Sequence, residues 1–319
     1  MTGKYQRSVI RAADAEGIAL AAERLRTGAL VALPTETVYG LAARADSAAA
    51  VAAIYRAKGR PDFNPLIVHV ADLAAAETIA VFDERAQALA ARFWPGALTM
   101  VLPLRATARI APAVTAGLDT IALRCPAHPV MRAVLQACGV PLAAPSANAS
   151  GGVSPTRAAH VAASLGDAAG LVLDGGACAA GIESTIVALR ESGWQVLRPG
   201  PVTAAQLAEL LGPPLDVAAV GQAAERIEAP GQLASHYSPG KPVRLGAVSA
   251  EPDEFLIGYG DVAGDRSLSA SGDLAEAAAR LYECLHAASA ASQARIAVAP
   301  IPMEGIGAAI NDRLNRAAA

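Results

Sequence analysis

Residues 29–40 read Ala-Leu-Val-Ala-Leu-Pro-Thr-Glu-Thr-Val-Tyr-Gly, an apolar run followed directly by a polar segment. The five consecutive apolar residues at 29–33 are typical of a buried strand. A helical pattern precedes the run at 14–27 and ends at Gly28. Another follows at 47–58, with Ser47 as its N-cap and Gly59 beyond its end. The stretch therefore predicts a strand between two helices, with polar side chains at the end of the strand.

The same alternation continues for about 200 residues. Further strands are predicted at 66–70, 98–102, 120–123 and 141–144 and near Leu171, Ile186 and Val196, and further helices at 84–93, 130–137, 156–165 and 203–211. So many interleaved elements predict an α/β fold (α+β-like) of three layers, with a sheet between helices. The alternation leaves open whether that sheet is parallel or mixed.

The pattern changes after residue 212. The segment 213–241 contains four prolines and a weakly patterned middle, which is typical of a linker. Beyond it, strands are predicted at 243–245, 255–258 and 295–298, and helices at 274–288 and 305–316. The sequence thus predicts a larger domain at 1–212, a linker at 213–241 and a small α/β domain at 242–319.

Charge and composition exclude several classes of protein. Charged residues are 17% of the chain and apolar residues 53%, which argues against disorder. The net charge is -3, and no basic run offers the phosphate contacts of a nucleic-acid-binding stripe. Any contact with tRNA is therefore expected to be weak or indirect. The longest uncharged stretch, 133–156, is broken by glycines and prolines, which excludes a membrane span there.

Cysteine usage and the N-terminus favour a cytoplasmic location. The four cysteines have neither metal-ligand spacing nor the density of a disulfide framework, so buried, reduced thiols are expected. Lys4, Arg7 and Arg11 are not followed by the apolar core of a signal peptide.

No familiar nucleotide or hydrolase motif is present: we find no P-loop, no His-Glu-x-x-His and no Gly-x-Ser-x-Gly. Gly258, Gly260 and Gly264 come near a dinucleotide fingerprint, but the third glycine is one position late, so turn glycines are the better interpretation. A nucleotide would have to be bound by an unfamiliar device.

Polar residues instead gather at the predicted strand ends, where ligands of such sheets collect. Four cations are among them: Lys58, Arg60, Arg124 and Arg198. On one rim they would form a concave anion site. Each residue alone has a plain structural explanation. A strand-end arginine is usually solvated or ion-paired, and Lys58 and Arg60 could complement a helix C-terminus.

The other polar candidates are equally ambiguous one by one. His69 could be a core histidine, Glu36 a capping carboxylate, and Ser146 and Asn148 turn residues. The Pro-rich segment around Tyr237 could be a passive spacer.

Taken together and in order, the motifs resemble one family. They are Pro-Thr-Glu-Thr-Val-Tyr-Gly-Leu at 34–41, Ala-Lys-Gly-Arg-Pro at 57–61, Asn-Pro-Leu-Ile-Val-His at 64–69, Phe-Trp-Pro-Gly-Ala-Leu-Thr at 93–99, Ala-Pro-Ser-Ala-Asn at 144–148, Glu-Ser-Thr-Ile-Val at 183–187, Leu-Arg-Pro-Gly at 197–200, Ser-His-Tyr-Ser-Pro at 235–239 and Ala-Ile-Asn-Asp-Arg-Leu at 309–314. The chain is identified as a member of the threonylcarbamoyl-AMP synthase (Sua5/YrdC/YciO) family, in its two-domain form. The one departure is Ala97, where the family often has a second proline, and this should affect loop stiffness only.

The resemblance implies a YrdC-type catalytic domain with a twisted mixed sheet, a small Rossmann-like C-terminal domain, and a linker that folds across the active site as a lid. It implies an adenylyltransferase that forms threonylcarbamoyl-AMP and pyrophosphate from L-threonine, bicarbonate or CO2, and ATP, for N6-threonylcarbamoyladenosine in tRNA. Mg2+ would accompany ATP, with no dedicated protein metal site, and downstream threonylcarbamoyl-transferase proteins would receive the product.

The resemblance also implies site residues. Threonine would be bound by Thr37, His69, Arg124 and Ser184. ATP would be bound by Lys58, Arg60, Asn64, Thr120, Ser146, Asn148, Ser154, Arg198 and Tyr237, with Lys58 and Arg60 as the catalytic cations at the phosphates.

Three other functions are compatible with a related architecture. An RNA-binding module of the same fold is disfavoured by the acidic net charge. A sugar-phosphate lyase would need acidic metal ligands, whereas the predicted rim is basic. A carbamoyl-transfer enzyme of hydrogenase maturation would carry acylphosphatase and zinc-finger modules, which are absent here.

Overall fold

The computed structural model describes residues 9–61, 63–215, 228–232 and 236–319. The part around the first sheet, 9–211, is here called the larger unit. Its strands are β1 Val9–Ala12, β2 Val31–Leu33, β3 Gly40–Arg44, β4 Ile67–His69, β5 Leu98–Pro103, β6 Thr120–Arg124, β7 Leu142–Ala143, β8 Leu171–Asp174, β9 Thr185–Arg190 and β10 Gly193–Arg198. Its helices are α1 Ala15–Arg26, α2 Ala48–Lys58, α3 Leu73–Glu77, α4 Glu84–Phe93, α5 Pro112–Thr115, α6 Pro129–Cys138, α7 Ala158–Leu165 and α8 Ala204–Leu211.

The part around the second sheet, 243–318, is called the smaller unit. It contains β11 Val243–Leu245, β12 Glu254–Gly258, β13 Arg266–Ser267, α9 Leu274–Ala290, β14 Arg295–Val298 and α10 Gly307–Ala318. Its four strands are all parallel, in the order β11-β14-β12-β13. The predicted boundaries at 212/213 and 241/242 stay predictions, and residues 1–8, 216–227 and 233–235 of those ranges lie outside the described residues.

The larger unit is built on one mixed sheet of ten strands, in the order β1-β8-β2-β3-β7-β4-β6-β5-β9-β10. β4 and β6 are parallel, with Ile67 opposite Ala122 and His69 opposite Arg124. β5 lies antiparallel to β6 and parallel to β9. The α/β fold with a mixed sheet is therefore confirmed.

Local sequence sets the helix boundaries. The Asp14 and Ser47 side chains accept hydrogen bonds from the backbone N–H groups of Gly17 and Ala50 and so cap the first turns of α1 and α2. Gly59 ends α2 in the left-handed conformation, with φ +58°. This sharp end directs the chain after Lys58 back toward the sheet.

Helices cover both faces of the ten-stranded sheet, but unequally. Side chains from α2, α4 and α8 pack on one face around Val68, Met100 and Leu123, and α7 continues that layer. On the opposite face, α1 and α6 cover only the half near β2 and β3. The rest of that face carries a small apolar patch of Ile67, Val101, Ala122, Ile186 and Ala188, covered by Ala229 from the linker. This patch, called the sheet floor below, is the part of that face that no helix of the described residues covers, and it lies under the linker.

Two further expectations can be compared with the structure. All four cysteines are buried and free, as expected. Among the described residues, no helix is long and apolar enough to cross a membrane.

Candidate functional site

A small cavity lies at one edge of the sheet floor, between the larger unit and the linker. It brings together most of the residues predicted to bind substrates: Thr37, Arg60, His69, Ser146, Arg124, Ser184, Arg198 and Tyr237. Lys58, Asn64, Thr120, Asn148 and Ser154 do not line it. Its volume of about 50 Å3 is far below the roughly 300 Å3 of the smallest usual ligand pockets, so a nucleotide requires the linker to move.

Arg124, at the end of β6, is held on three sides. Its Nε donates to the Gly96 carbonyl at 3.1 Å, Nη1 to Thr37 Oγ1 at 2.8 Å, and Nη2 to Glu36 Oε1 at 2.7 Å. A guanidinium has five N–H donors, so two remain beyond these bonds. Arg124 is therefore fixed in orientation and keeps donors for a carboxylate, as the threonine assignment requires.

Glu36 fixes Arg124 from the other side. Its carboxylate also accepts from the backbone N–H groups of Ala127 and His128. Burial alone would raise the pKa of Glu36, but the neighbouring Arg124 cation and these donors lower it. Sequence reasoning treated Glu36 only as a possible capping residue, whereas here it orients the candidate carboxylate binder.

Thr37 is prepared as a hydrogen-bond acceptor. The Thr35 hydroxyl donates to the Val38 carbonyl at 2.6 Å, so the Thr37 hydroxyl must donate to Thr35 Oγ1 at 2.8 Å. Thr37 Oγ1 in turn accepts from Arg124. A hydroxyl has one donor and two acceptor positions, so one acceptor position remains free. That position suits an amine or a hydroxyl group of a bound amino acid.

His69 is neutral in this site. Burial and the nearby Arg124 cation lower its pKa to about 3. Its Nδ1 is buried and has no hydrogen-bond partner among the described residues. Since buried polar atoms are almost always paired, the unpaired nitrogen marks a place for a polar group of a ligand.

Ser184 and Arg198 form the opposite wall. The Ser184 hydroxyl shares a 2.7 Å hydrogen bond with the Thr99 hydroxyl. Arg198 donates to the Ser184 carbonyl from Nε and Nη2, and to the carbonyl of Pro230 in the linker at 3.4 Å. Arg198 thus ties the linker to the site. Sequence reasoning did not identify Thr99, although it lies within the Phe-Trp-Pro-Gly-Ala-Leu-Thr motif.

Lys58 lies just outside the cavity and holds the loop after β7. Its ammonium donates to the carbonyls of Ser146 and Asn148, both at 2.5 Å. Burial and the nearby Arg60 cation lower its pKa well below the ordinary value. Asn148 Oδ1 in the same loop is buried without a partner among the described residues.

Arg60 is a buried cation without an acidic partner in the part of the chain that the structure describes. Its Nη2 donates to the Pro65 carbonyl, while its Nε is unpaired within the described residues. Burial, together with the Arg198 cation, lowers its pKa to about 10. An anionic ligand would neutralise the buried charge of Arg60 and accept a hydrogen bond from its unpaired Nε.

Asn64 and Thr120 lie toward the far end of the sheet floor. Thr120 begins β6 and Arg124 ends it, so about 13 Å separates them at 3.3 Å per residue. Side chains alternate between the two faces of a strand, so Thr120, Ala122 and Arg124 share one face. Asn64 precedes the parallel strand β4 at the same end, and its Oδ1 is buried and unpaired within the described chain. The candidate residues therefore spread along the floor, as an elongated ligand would need.

The linker closes the site. Pro230, Gly231, His236 and Tyr237 line the cavity from above. A Cβ at Gly231, where φ is +88°, would lie 2.9 Å from Arg198 Cδ, so the close approach of the linker depends on glycine. Ser235 of the Ser-His-Tyr-Ser-Pro motif lies outside the described residues.

Ser154 does not line the cavity but contacts a residue that does. Its hydroxyl donates to the Glu183 carboxylate, which precedes Ser184 in sequence. Its predicted contact with ATP stays a prediction.

Comparison with known proteins gives a consistent result. The family model Sua5_yciO_yrdC, described as "Telomere recombination", matches residues 23–200. A second model, described as "Threonylcarbamoyl-AMP synthase, C-terminal domain", matches residues 202–319. The threonylcarbamoyl-AMP synthase of Bacillus subtilis is 39% identical over 94% of this chain and 92% of its own. That of Pyrococcus abyssi is 36% identical over 94% and 93%.

Solved structures of related proteins also match this chain. The crystal structure of P. abyssi Sua5 complexed with L-threonine matches with a TM-score of 0.87 and 35% identity, covering 98% of this chain and 96% of that one. The crystal structure of E. coli YciO matches with a TM-score of 0.53 and 20% identity over 63% of this chain, a likeness of fold alone.

Proposed function

The chain belongs to the threonylcarbamoyl-AMP synthase family, and we propose that it joins L-threonine, bicarbonate or CO2, and ATP into threonylcarbamoyl-AMP and pyrophosphate. The observation that carries the proposal is Arg60, a buried guanidinium whose Nε is unpaired among the described residues and which lies near Lys58 and Arg198 without an ion pair to any described carboxylate. Buried charge without a partner is costly, so this corner favours a polyanion.

The first step makes a carbamate. The neutral threonine amine adds to the carbon of CO2 and releases a proton to solvent water, which gives an N-carboxylate. Arg124 would bind the amino-acid carboxylate through its two remaining donors. Thr37 would accept from the substrate amine or hydroxyl, and neutral His69 and Ser184 would complete the orientation.

In the second step, one carbamate oxygen attacks the α-phosphorus of ATP. The bond from that phosphorus to the oxygen bridging to the β-phosphate breaks, and pyrophosphate leaves with the electron pair. Such substitution needs alignment and stabilisation of spread negative charge more than covalent help. Lys58, Arg60 and Arg198 would supply the charge, and the sheet floor an apolar surface for the nucleoside between Arg124 and Thr120.

Closure of the linker has a chemical purpose in this scheme. The carbamate and the mixed anhydride both hydrolyse, and a closed site excludes water. The contacts of Arg198 with Pro230 and the position of Tyr237 support this role for the linker.

Mg2+ would enter with the triphosphate. Among the described residues, no group of three or more His, Cys, Asp or Glu could hold a metal ion. The two carboxylates at the site, Glu36 and Glu183, are bound by Arg124 and Arg313. Mg2+ would therefore be held mainly by the triphosphate, since this ion keeps several waters and takes few protein ligands.

The proposal extends to the use of the product. Threonylcarbamoyl-AMP would pass to a threonylcarbamoyl-transferase acting on tRNA in the cytoplasm, and the net charge of -3 supports a weak or indirect tRNA contact.

Pyrophosphate release tests the proposal. It is measured from ATP and Mg2+ with and without L-threonine and bicarbonate, and the adenylate is identified by mass spectrometry. We expect release that requires both co-substrates. Release independent of threonine would contradict the proposal, and tRNA binding at physiological salt without any release would favour an RNA-binding module.

A further inference from the structure

The larger and smaller units meet beside the candidate site at a buried carboxylate. Glu183 accepts hydrogen bonds from the Ser154 hydroxyl at 2.5 Å, the Tyr282 hydroxyl at 2.8 Å and Arg313 Nε at 3.2 Å. Ser154 belongs to the larger unit, whereas Tyr282 lies on α9 and Arg313 on α10. All four side chains are buried.

Arg313 contacts three separate parts of the site. Besides Glu183, its Nη1 donates to the carbonyl of Pro199, the residue after Arg198. Its guanidinium carbon lies 5.7 Å from the centre of the Tyr237 ring, within cation–π range. One side chain of the smaller unit thus spans the Glu183–Ser184 turn, the end of β10 and the linker.

Stability alone is a weak explanation for this arrangement. A buried ion pair loses much of its Coulombic gain to desolvation, and apolar replacements are often as stable. Burial would raise the pKa of Glu183, but Arg313, Arg198 and the two hydroxyl donors lower it to about 2. These partners favour the charged form of Glu183, so the ion pair with Arg313 is retained near neutral pH.

Arg313 does not line the cavity, so it acts through residues that do. We propose that Arg313 is a positioning residue, which holds Ser184, Arg198 and Tyr237 in mutual register and makes the smaller unit a part of the active site. The inference rests on the proposed function. It gives a role to the Ala-Ile-Asn-Asp-Arg-Leu motif at 309–314, which no substrate contact explains.

The test compares Arg313→Met with wild type in threonine-dependent pyrophosphate release and in L-threonine binding by calorimetry. We expect kcat/KM to fall about 100-fold, the usual effect of a misplacement near 1 Å, and threonine binding to weaken about 10-fold. Arg313→Lys keeps the positive charge but loses the planar guanidinium, so its activity should lie between that of wild type and that of Arg313→Met.

A double-mutant cycle separates positioning from general destabilisation. Ser184→Ala should lower activity strongly in the wild-type background and little further in Arg313→Met, because the hydroxyl is already misplaced there. Additive losses would overturn the inference. A folded Arg313→Met with wild-type kcat/KM and threonine affinity would overturn it as well.

Arg313→Met leaves Glu183 buried and unpaired, which can prevent folding. The double variant Glu183→Gln/Arg313→Met removes both charges and should fold while staying impaired; if it folds with wild-type activity, the inference is wrong. Arg157→Gln is the matched control, because it breaks an exposed ion pair to Glu283 across the same interface, and its activity should change less than about twofold. If wild type itself neither releases pyrophosphate nor binds threonine, the proposed function fails instead.

Discussion

At the scale of single residues, the site is a set of side chains held by other side chains. Arg124 is fixed by Glu36 and Thr37, and Ser184 by Thr99 and Arg198. Such support keeps reacting groups within the narrow geometry that catalysis requires. The unpaired atoms Arg60 Nε and His69 Nδ1 lie among these fixed groups. The site is thus preorganised around buried atoms that no described residue satisfies and to which polar groups of a ligand can bind.

Arg124→Lys tests the carboxylate assignment. A lysine keeps the positive charge but cannot bond Glu36, Thr37 and a carboxylate through one planar fork. We expect kcat/KM for threonine to fall about 100-fold, an effect of roughly 3 kcal/mol on the transition state, with KM for ATP nearly unchanged. Arg105→Lys, on a loop remote from the cavity, is the control. A normal threonine KM in Arg124→Lys would show that another residue binds the carboxylate.

Thr99→Val tests the support of Ser184. Valine matches the shape of threonine but cannot share the 2.7 Å hydrogen bond, so Ser184 loses a partner while packing is kept. The loss of one buried hydrogen bond costs about 1 kcal/mol. We expect a five- to tenfold rise in KM for threonine, measured by pyrophosphate release. Unchanged KM with lowered thermal stability would limit Thr99 to a structural role.

At the residue scale, the structure brings eight of the residues predicted from the motifs to the cavity, and their roles stay predictions. Sequence reasoning did not identify Thr99 or Arg313, and it gave Glu183 no role of its own. Thr99 bonds a partner 85 positions away in sequence, and Arg313 bonds Glu183 130 positions away. Thr99 and Arg313 lie within motifs recognised in the sequence, but only the tertiary structure shows which partners they bind.

At the scale of elements, the sequence predicted most strands and the longer helices but missed the short helices α3 and α5 and the short strands β1 and β13. The predicted helix 84–93 has the observed bounds, and α1 and α9 differ from prediction by one or two residues at an end. β3, Gly40–Arg44, was not predicted as a strand. It has no β-branched residue and is extended because β2 and β7 pair with it on either side.

Two histidines give the contact between α7 and α9 a pH dependence. His160 and His286 stack with ring centres 3.9 Å apart, and His286 Nε2 bonds the Ser154 carbonyl at 3.1 Å. Burial and the neighbouring His286 lower the pKa of His160 to about 4, and burial lowers the pKa of His286. The Glu283 carboxylate raises the pKa of His160 and so opposes the effect of burial, whereas the Arg157 cation lowers it further.

Acidification should therefore destabilise this contact. Below pH 6.5 the unfolded chain binds protons at these histidines, whereas folded His160 stays neutral until about pH 4. The stabilisation that the neutral histidines contribute is fully present above pH 6.5 and is lost as the pH falls toward 4. Between pH 6.5 and 4, the wild type should lose about 1–2 kcal/mol more unfolding free energy than the double variant His160→Gln/His286→Gln. The measurement is a urea titration of each protein across this pH range. An identical pH slope in wild type and double variant would contradict this account.

At the scale of the whole molecule, the two units share a core. Val38, Val153 and Ile182 of the larger unit and Tyr237 of the linker pack in one apolar cluster with residues of α9, β14 and α10. The two sheets were predictable from the change in sequence pattern near residue 212. Their contact was not, because it depends on side chains spread over most of the chain. Misplacing one unit should therefore disturb the site in the other.

Gly181→Ala tests that dependence through the backbone. At Gly181, φ is +70°, and an added Cβ would lie 2.5 Å from the carbonyl oxygens of Ala278 and Ala279 on α9. Backbone cannot yield as a side chain can, so α9 must shift away and carry Tyr282 from Glu183. We expect a loss of about 2–4 kcal/mol in unfolding free energy and a fall in pyrophosphate release of at least tenfold.

Gly176→Ala is the matched control for Gly181→Ala. Gly176 has a similar φ of +83°, but an added Cβ would meet no atom within 4 Å. The control therefore carries only the backbone cost of a left-handed alanine, about 1–2 kcal/mol, and should keep its activity. Equal loss of activity in both variants would mean that backbone strain alone inactivates the enzyme. Loss confined to Gly181→Ala would tie catalysis in the larger unit to the seating of the smaller one.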